Sequence, residues 1–140
     1  MPVFPSVAWF EDLKERVNGT DRFKHFGTID CAMGVQVDDQ VFKVVFEAFE
    51  VIDVAEVVDL ANEDLDFTLT MAGGEWQEML ENIKANGRAD LHHTLNTLDL
   101  EKPEAFAMGN DYTRRDLFYR FNQTLQDFFD ATAEMETTFA

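Results

Sequence analysis

Apolar and polar residues repeat along this chain with two different periods, and each change of period marks the boundary of an element. Between Ser6 and Gly19 the apolar residues Trp9, Leu13 and Val17 recur every fourth position, with Phe10 beside them and charges opposite. That spacing predicts an amphipathic helix, with Ser6 as N-cap and Asn18-Gly19 as the stop. From Thr28 to Val37 the period falls to two. Ile29, Cys31, Met33, Val35 and Val37 alternate with Thr28, Asp30, Ala32, Gly34 and Gln36, which predicts a strand with one apolar face.

Asp38-Asp39 comes next, and aspartates tolerate turn geometry, so the strand is expected to fold back as a hairpin. Placing Val37 opposite Gln40 sets Val35 against Phe42, Met33 against Val44, Cys31 against Phe46 and Ile29 against Ala48. These four pairs are apolar on both sides, as a register with one buried face requires. The other face sets Gly34 against Lys43 and Asp30 against Glu47, and the like-charge pair belongs either in water or in a functional site. A β-rich stretch at Val51–Val58 and an alternating strand at Asp66–Met71, with Phe67, Leu69 and Met71 on one side, follow.

Gly73-Gly74 ends the sheet pattern, and the period becomes helical. Trp76, Met79, Leu80 and Ile83 share a face, Glu75 and Glu78 suit the first turn, and Asn86-Gly87 closes the helix. Leu91, Leu95 and Leu98 mark a further short helix, and Glu101-Lys102-Pro103 a loop. Ala105–Gly109 reads as either a short edge strand or a loop. Asp111 is placed to cap a long final helix with the stripe Phe118, Phe121, Leu125, Phe128 and Phe129. The expected class is α+β, with a mixed or antiparallel sheet of about five strands covered by helices, in a single domain spanning residues 1–140.

The length of 140 residues suits one domain, and 46% hydrophobic residues suffice for a core. With 11 Lys and Arg against 28 Asp and Glu, the net charge of −17 repels phosphate backbones and anionic bilayers. Nucleic acid is therefore not expected as a partner, nor is stable membrane insertion, since no apolar run approaches the ~20 residues of a spanning helix. The single Cys31 excludes an internal disulfide, and MPVFPSVAW has neither a basic region nor an apolar core of a secretory signal. A cytoplasmic protein is the expectation. Ser6 is the only serine, which argues against a Ser-His-Asp triad, and phosphate-loop, CxxC, HExxH and calcium-loop patterns do not occur, so no cofactor or metal is expected. Fourteen phenylalanines and six methionines suit an adaptable apolar interior, whether a lipid-like pocket or a large ordinary core.

The segment DLDFTLTMAGGEWQEMLENIKANGRAD, through Asp66, Phe67, Thr68, Leu69 and Thr70 and then Trp76, Leu80, Gly87 and Arg88, is similar to the middle of the sterol carrier protein, or nonspecific lipid-transfer, family. Phe106, Met108, Gly109 and Asn110 resemble its short strand before the last helix. The resemblance implies a five-stranded sheet backed by helices, with an apolar tunnel between the sheet and the C-terminal helix for acyl chains or sterols. The histidine pair and Pro103 make a more elaborate connection than the family pattern, and the final TFA is not a peroxisomal address.

On this reading the ligand-binding residues are Phe67, Leu69, Met71, Trp76, Leu80, Phe106, Met108, Phe118, Phe121, Leu125 and Phe128, with Ala131–Ala140, through Met135 and Phe139, as a lid. Arg114 falls on the apolar stripe of the last helix, one turn inside its N-terminus. It pairs either with a ligand carboxylate or phosphate at the pocket mouth or with one of the chain's own acids. His92, Asn96 and Asp99 share a helical side and read as a solvated face, and Cys31 reads as a core thiol. The expected function is to bind a fatty acid, fatty acyl-CoA or sterol-like lipid, for carriage or presentation to enzymes, without catalysis by this chain. The alternative is a small cofactor-free enzyme, cyclase- or hydratase-like, with Asp30 and Glu47 as acid and base. An interaction protein with a filled core is a third reading, and a homodimer stays open.

Overall fold

A computed structural model describes residues 2–20, 29–48, 50–58, 63–101, 106–109 and 111–139. After a short strand β1 (Val3–Phe4), Ser6 acts as the cap its position predicts: its Oγ accepts the Trp9 N–H at 3.1 Å and starts α1 (Val7–Asn18). Trp9, Phe10, Leu13 and Val17 form the buried face of this helix.

The hairpin of β2 (Cys31–Val37) and β3 (Gln40–Glu47) has the expected register: Cys31 faces Phe46, Met33 faces Val44, Val35 faces Phe42 and Val37 faces Gln40. Asp38 turns with φ 54°, a left-handed conformation that aspartate tolerates. Thr28 lies outside the described residues. β4 (Glu50–Val57) pairs antiparallel with β3 through a bulge, where Val45 faces Asp53 but Phe46 faces Val51, so Ile52 is the extra residue and projects into solvent. β5 (Phe67–Met71) then pairs with β2 in parallel, and the short edge strand β6 (Ala107–Met108) pairs antiparallel with β5. The five-stranded sheet is mixed, in the order β4-β3-β2-β5-β6.

Between β5 and β6 lie α2 (Gly73–Asn86) and α3 (Leu95–Glu101). Gly87 closes α2 with φ 81°, a left-handed cap that lets its N–H reach the Ile83 carbonyl and that a side chain would strain. The helix expected from Leu91 begins instead at Leu95, because the Thr94 hydroxyl accepts the Thr97 N–H and caps it there; Leu91 is exposed in the preceding turn. Of the stretch Ala105–Gly109, Ala107 and Met108 form the edge strand, and Ala105 lies outside the described residues.

The long final helix is in fact three pieces: α4 (Tyr112–Arg115), α5 (Leu117–Arg120) and α6 (Asn122–Asp130). Asp111 caps the first by accepting the Thr113 and Arg114 N–H groups. At Phe121 the backbone leaves the helical region (φ −103°, ψ 17°), and α6 sinks into the protein with every residue from Thr124 to Phe129 buried. A 3₁₀ turn (Ala131–Glu134) and β7 (Thr138–Phe139) follow, and β7 pairs in parallel with β1.

The helices cover one face of the sheet. Phe10 of α1 lies 5.1 Å from Phe42 of β3, Phe128 of α6 5.4 Å from Phe46, and Phe118 of α5 5.8 Å from Phe67 of β5, measured between ring centroids. The opposite face carries Lys43, Gln36, Thr68 and Thr70, all half-buried, with Leu65 lying over Gly34 and Glu63 paired to Lys43.

Candidate functional site

Nine of the residues singled out in the sequence meet in the interior. Phe67, Leu69 and Met71 come from β5, Trp76 and Leu80 from α2, Phe106 from the approach to β6, and Phe118, Leu125 and Phe128 from the C-terminal helices; all belong to one buried cluster. They pack on one another and on neighbouring rings: Trp76 lies 6.2 Å from Phe106 and 5.6 Å from Phe129. The Trp76 indole N–H donates to the Gln36 carbonyl at 2.8 Å, which satisfies its one polar atom and fixes α2 on the end of β2. Phe121 is only half-buried, against the edge of this cluster. Met108 is left outside it, exposed beside a shallow groove on the opposite sheet face.

The cleft that reaches this interior lies to one side, between α2 and the C-terminal segment. It encloses about 380 Å³ and is lined by Leu80, Lys84 and Ala85 of α2 and by Thr132, Met135 and Phe139. Leu80 and Met135 are themselves members of the core cluster, so the floor of the cleft is the outer surface of the core. Glu81 and Glu136 add carboxylates to its lining.

The far wall is the segment expected to be a mobile lid, and here that expectation is corrected. Lys84 Nζ donates to the Met135 carbonyl at 2.9 Å and to the Ala133 carbonyl at 3.2 Å, and stands 3.5 Å from Glu136. Arg16 Nη1 donates to the Glu134 carbonyl at 3.0 Å, and the Trp9 indole N–H to the Thr137 hydroxyl at 3.0 Å. With β7 paired to β1 and Met135 fully buried, the described part of the tail is fastened from α1, α2 and the N-terminal strand. Ala140 lies outside the described residues. Sequence reading found Leu80 and, within Ala131–Ala140, the segment that supplies Thr132, Met135 and Phe139, but missed Lys84 and Ala85, because a lysine bonded to distant main-chain carbonyls has no local pattern.

Arg114 is not in this cleft. Its Nη1 lies 2.7 Å from Asp64 Oδ1 and its Nε 2.8 Å from Asp66 Oδ1, and these two carboxylates, Asp66 foremost, raise the guanidinium pKa. Of the two readings of Arg114, the structure has it paired with the chain's own acids.

Asp30 and Glu47 are both exposed, and Asp30 Oδ1 accepts the Ala48 N–H at 3.0 Å, so the two carboxylates do not line an enclosed site. Cys31 is buried, and its thiol is pushed far up, first by burial and then by Asp66 and Asp30, as befits a core thiol. His92 and Asn96 are exposed, whereas Asp99 is buried and accepts the Tyr119 O–H, so the three do not form one solvated face. Among the described residues no group of three His, Cys, Asp or Glu side chains is placed to hold a metal ion, and no helix is long and apolar enough to cross a membrane.

No protein-family profile matches the chain, and no curated protein matches it in sequence. Among solved structures, the chain is similar to the solution structure of a conserved hypothetical protein from Thermus thermophilus, described as a possible sterol carrier protein. The TM-score is 0.62 at 14% identity, over 95% of this chain and 90% of that one. The two share a fold, which in this chain is α+β, a five-stranded mixed sheet covered by helices.

Proposed function

We propose that this chain binds an apolar small molecule, a fatty acid, a fatty acyl-CoA or a sterol-like lipid, and carries it or presents it to enzymes. The observation that carries this reading is the cleft between α2 and the C-terminal segment, where the apolar Leu80, Ala85, Met135 and Phe139 line one space together with Glu81, Lys84, Thr132, Glu136 and Thr137. Its volume of about 380 Å³ lies within the roughly 300–1,000 Å³ of small-molecule sites. An acyl chain laid there loses contact with water at about 25 cal/mol per Å² of apolar area. Met135, with its flexible thioether, and Phe139 adapt the far wall to the ligand's shape.

Behind Leu80, Trp76, Phe106 and Phe118 pack on one another, so a ligand long enough to reach them displaces those ring contacts. Support also comes from the fold shared with a protein described as a possible sterol carrier protein. The exposed positions of Asp30 and Glu47 give the enzyme reading no comparable support.

Native mass spectrometry of gently purified protein, followed by displacement of a fluorescent fatty acid with fatty acid, acyl-CoA and sterol, tests the reading. Ala85→Trp fills the cleft from an exposed helix position and is expected to weaken binding by about tenfold or more while leaving the unfolding transition in place. Absence of saturable displacement by all three ligands overturns lipid binding, and unchanged affinity in Ala85→Trp overturns this cleft as its site.

A further inference from the structure

A second recess lies where α3, α4 and α5 come together beside the edge strand β6. Tyr112, Thr113, Arg115, Asp116 and Tyr119 wall a space of about 380 Å³, and none of them lines the cleft under α2.

Two of these side chains are held in place from behind. The Tyr119 hydroxyl donates to Asp99 Oδ2 at 2.8 Å; Asp99 is 7% exposed, and its Oδ1 has no partner. A buried carboxylate so poorly satisfied holds that proton firmly, and burial followed by Asp99 raises the phenol's pKa. Arg115 is fixed by Nε, which donates to the Ala107 carbonyl at 2.7 Å, and its guanidinium carbon lies 6.0 Å from the Tyr119 ring centroid. Its terminal nitrogens make only a long contact, 3.5 Å, to the Tyr119 hydroxyl.

The charges in the recess are left open. In a chain so rich in acid, Lys14, Arg16, Lys43, Lys84 and Arg114 each lie within 4 Å of a carboxylate. Among the described residues Arg115, like Arg88 and Arg120, has no such ion pair, and Asp116 has none with a cation. The recess therefore offers one guanidinium and one carboxylate between two tyrosine rings exposed by 77% and 43%.

We propose that this recess binds a small zwitterion, its phosphate or carboxylate on Arg115 and its substituted ammonium on Asp116, against the faces of Tyr112 and Tyr119. Guanidinium donors suit an oxyanion in two-point contact, and tyrosine faces attract a quaternary ammonium. The field of a chain with net charge −17 repels a free anion and draws free cations indiscriminately. A neutral ligand with separated charges escapes both effects and is selected by the local arrangement. Such a group arrives either as a free solute or as the head group of a zwitterionic lipid.

Titration of the ¹⁵N-labelled protein with glycerophosphocholine, a phosphodiester whose charges cancel, at fixed ionic strength tests this. Saturable shifts confined to residues 112–119 are expected, with choline alone and inorganic phosphate alone each weaker by about tenfold or more. Asp116→Asn, at an exposed position, should weaken glycerophosphocholine and choline but not phosphate. Arg115→Gln should weaken glycerophosphocholine by about tenfold and spare choline; if it loses the folded spectrum, Asp116→Asn still decides. Sedimentation with phosphatidylcholine vesicles, abolished by Asp116→Asn, identifies the lipid head group as the source; glycerophosphocholine binding without sedimentation identifies a free solute. No saturable shift in the recess, glycerophosphocholine no tighter than choline, or indifference to Asp116→Asn overturns the proposal.

Discussion

Arg114 and Asp66 join two parts of the chain far apart in sequence: Nε of the arginine, on α4, lies 2.8 Å from Oδ1 of the aspartate that leads into β5. The other oxygen, Oδ2, accepts the Ala32 N–H of β2 at 2.7 Å. One carboxylate thus holds the start of the parallel strand pair and the first of the C-terminal helices together. Asp66→Ala leaves the Ala32 N–H without its acceptor, at about 1–3 kcal/mol. Removing the half-exposed Arg114 forfeits at most about 1 kcal/mol. Urea denaturation should therefore find Asp66→Ala clearly more destabilised than Arg114→Gln. Equal losses would mean that the ion pair, and not the backbone contact, is what matters at this junction.

Lys84 is expected to control the C-terminal wall of the cleft. Gln at this position is shorter and cannot span to both the Met135 and Ala133 carbonyls. Limited proteolysis should cut Lys84→Gln faster than the parent between residues 132 and 139, with global stability falling by less than about 1 kcal/mol. An unchanged cutting rate would show that β1–β7 pairing and the burial of Met135 hold the segment without the lysine.

His93 carries a pH dependence whose sign follows from its partners. Nδ1 lies 2.7 Å from Asp90 and Nε2 2.9 Å from Glu78, while Asn82 also bonds Asp90. Its pKa is raised, chiefly by the hydrogen bond to Asp90, and Asp90 is lowered to about 2, chiefly by His93. These are two ends of one interaction and count once. The histidine's share is complete below its unfolded value of about 6.5 and disappears as pH rises through the folded pKa; the aspartate's share is present above its unfolded value of about 3.9 and disappears as pH falls toward its folded one. The stability difference between the parent and His93→Gln should thus be greatest between about pH 4 and 6.5 and shrink on both sides. A difference that grows above neutrality would contradict the pairing.

Cys31 should behave as part of the core. Its thiolate is suppressed by burial and by Asp66 and Asp30, so reaction with a disulfide reagent requires opening of the fold. Labelling at pH 8 should follow the unfolding rate across a urea series. Fast labelling in the absence of denaturant would place the thiol in a locally open segment.

The elements best legible in the sequence were those that rest on local geometry. Ser6 caps α1, and Gly87 ends α2, because each supplies a group or conformation that its immediate neighbours demand. The register from Val37 opposite Gln40 to Cys31 opposite Phe46 followed because any slip by one residue would turn the apolar set outward. The candidate site was less legible. Leu80, Met135 and Phe139 could be picked out as apolar, but not that α2 and the tail face each other across a cleft.

Period-two alternation assigns Phe67, Leu69 and Met71 to a face but names no neighbour, so the parallel pairing of β5 with β2 came only with the folded chain. The stripe from Phe118 to Phe129 predicted one long helix. The structure instead bends the chain at Phe121 and buries every residue of α6 from Thr124 to Phe129, polar ones included, which is possible because Gln126 finds the Leu95 N–H at 2.7 Å and Asp130 at 3.0 Å. The amino-acid order by itself determined which residues prefer the core, where helices start and stop, and the hairpin register, because caps, turns and periodicity act over a few residues. The partner of β5, the acids that claim Arg114, the fastening of the tail and the recess at Arg115 were decided by the tertiary structure. Each depends on groups distant in the chain whose hydrogen bonds and charges are satisfied only once packing has brought them together.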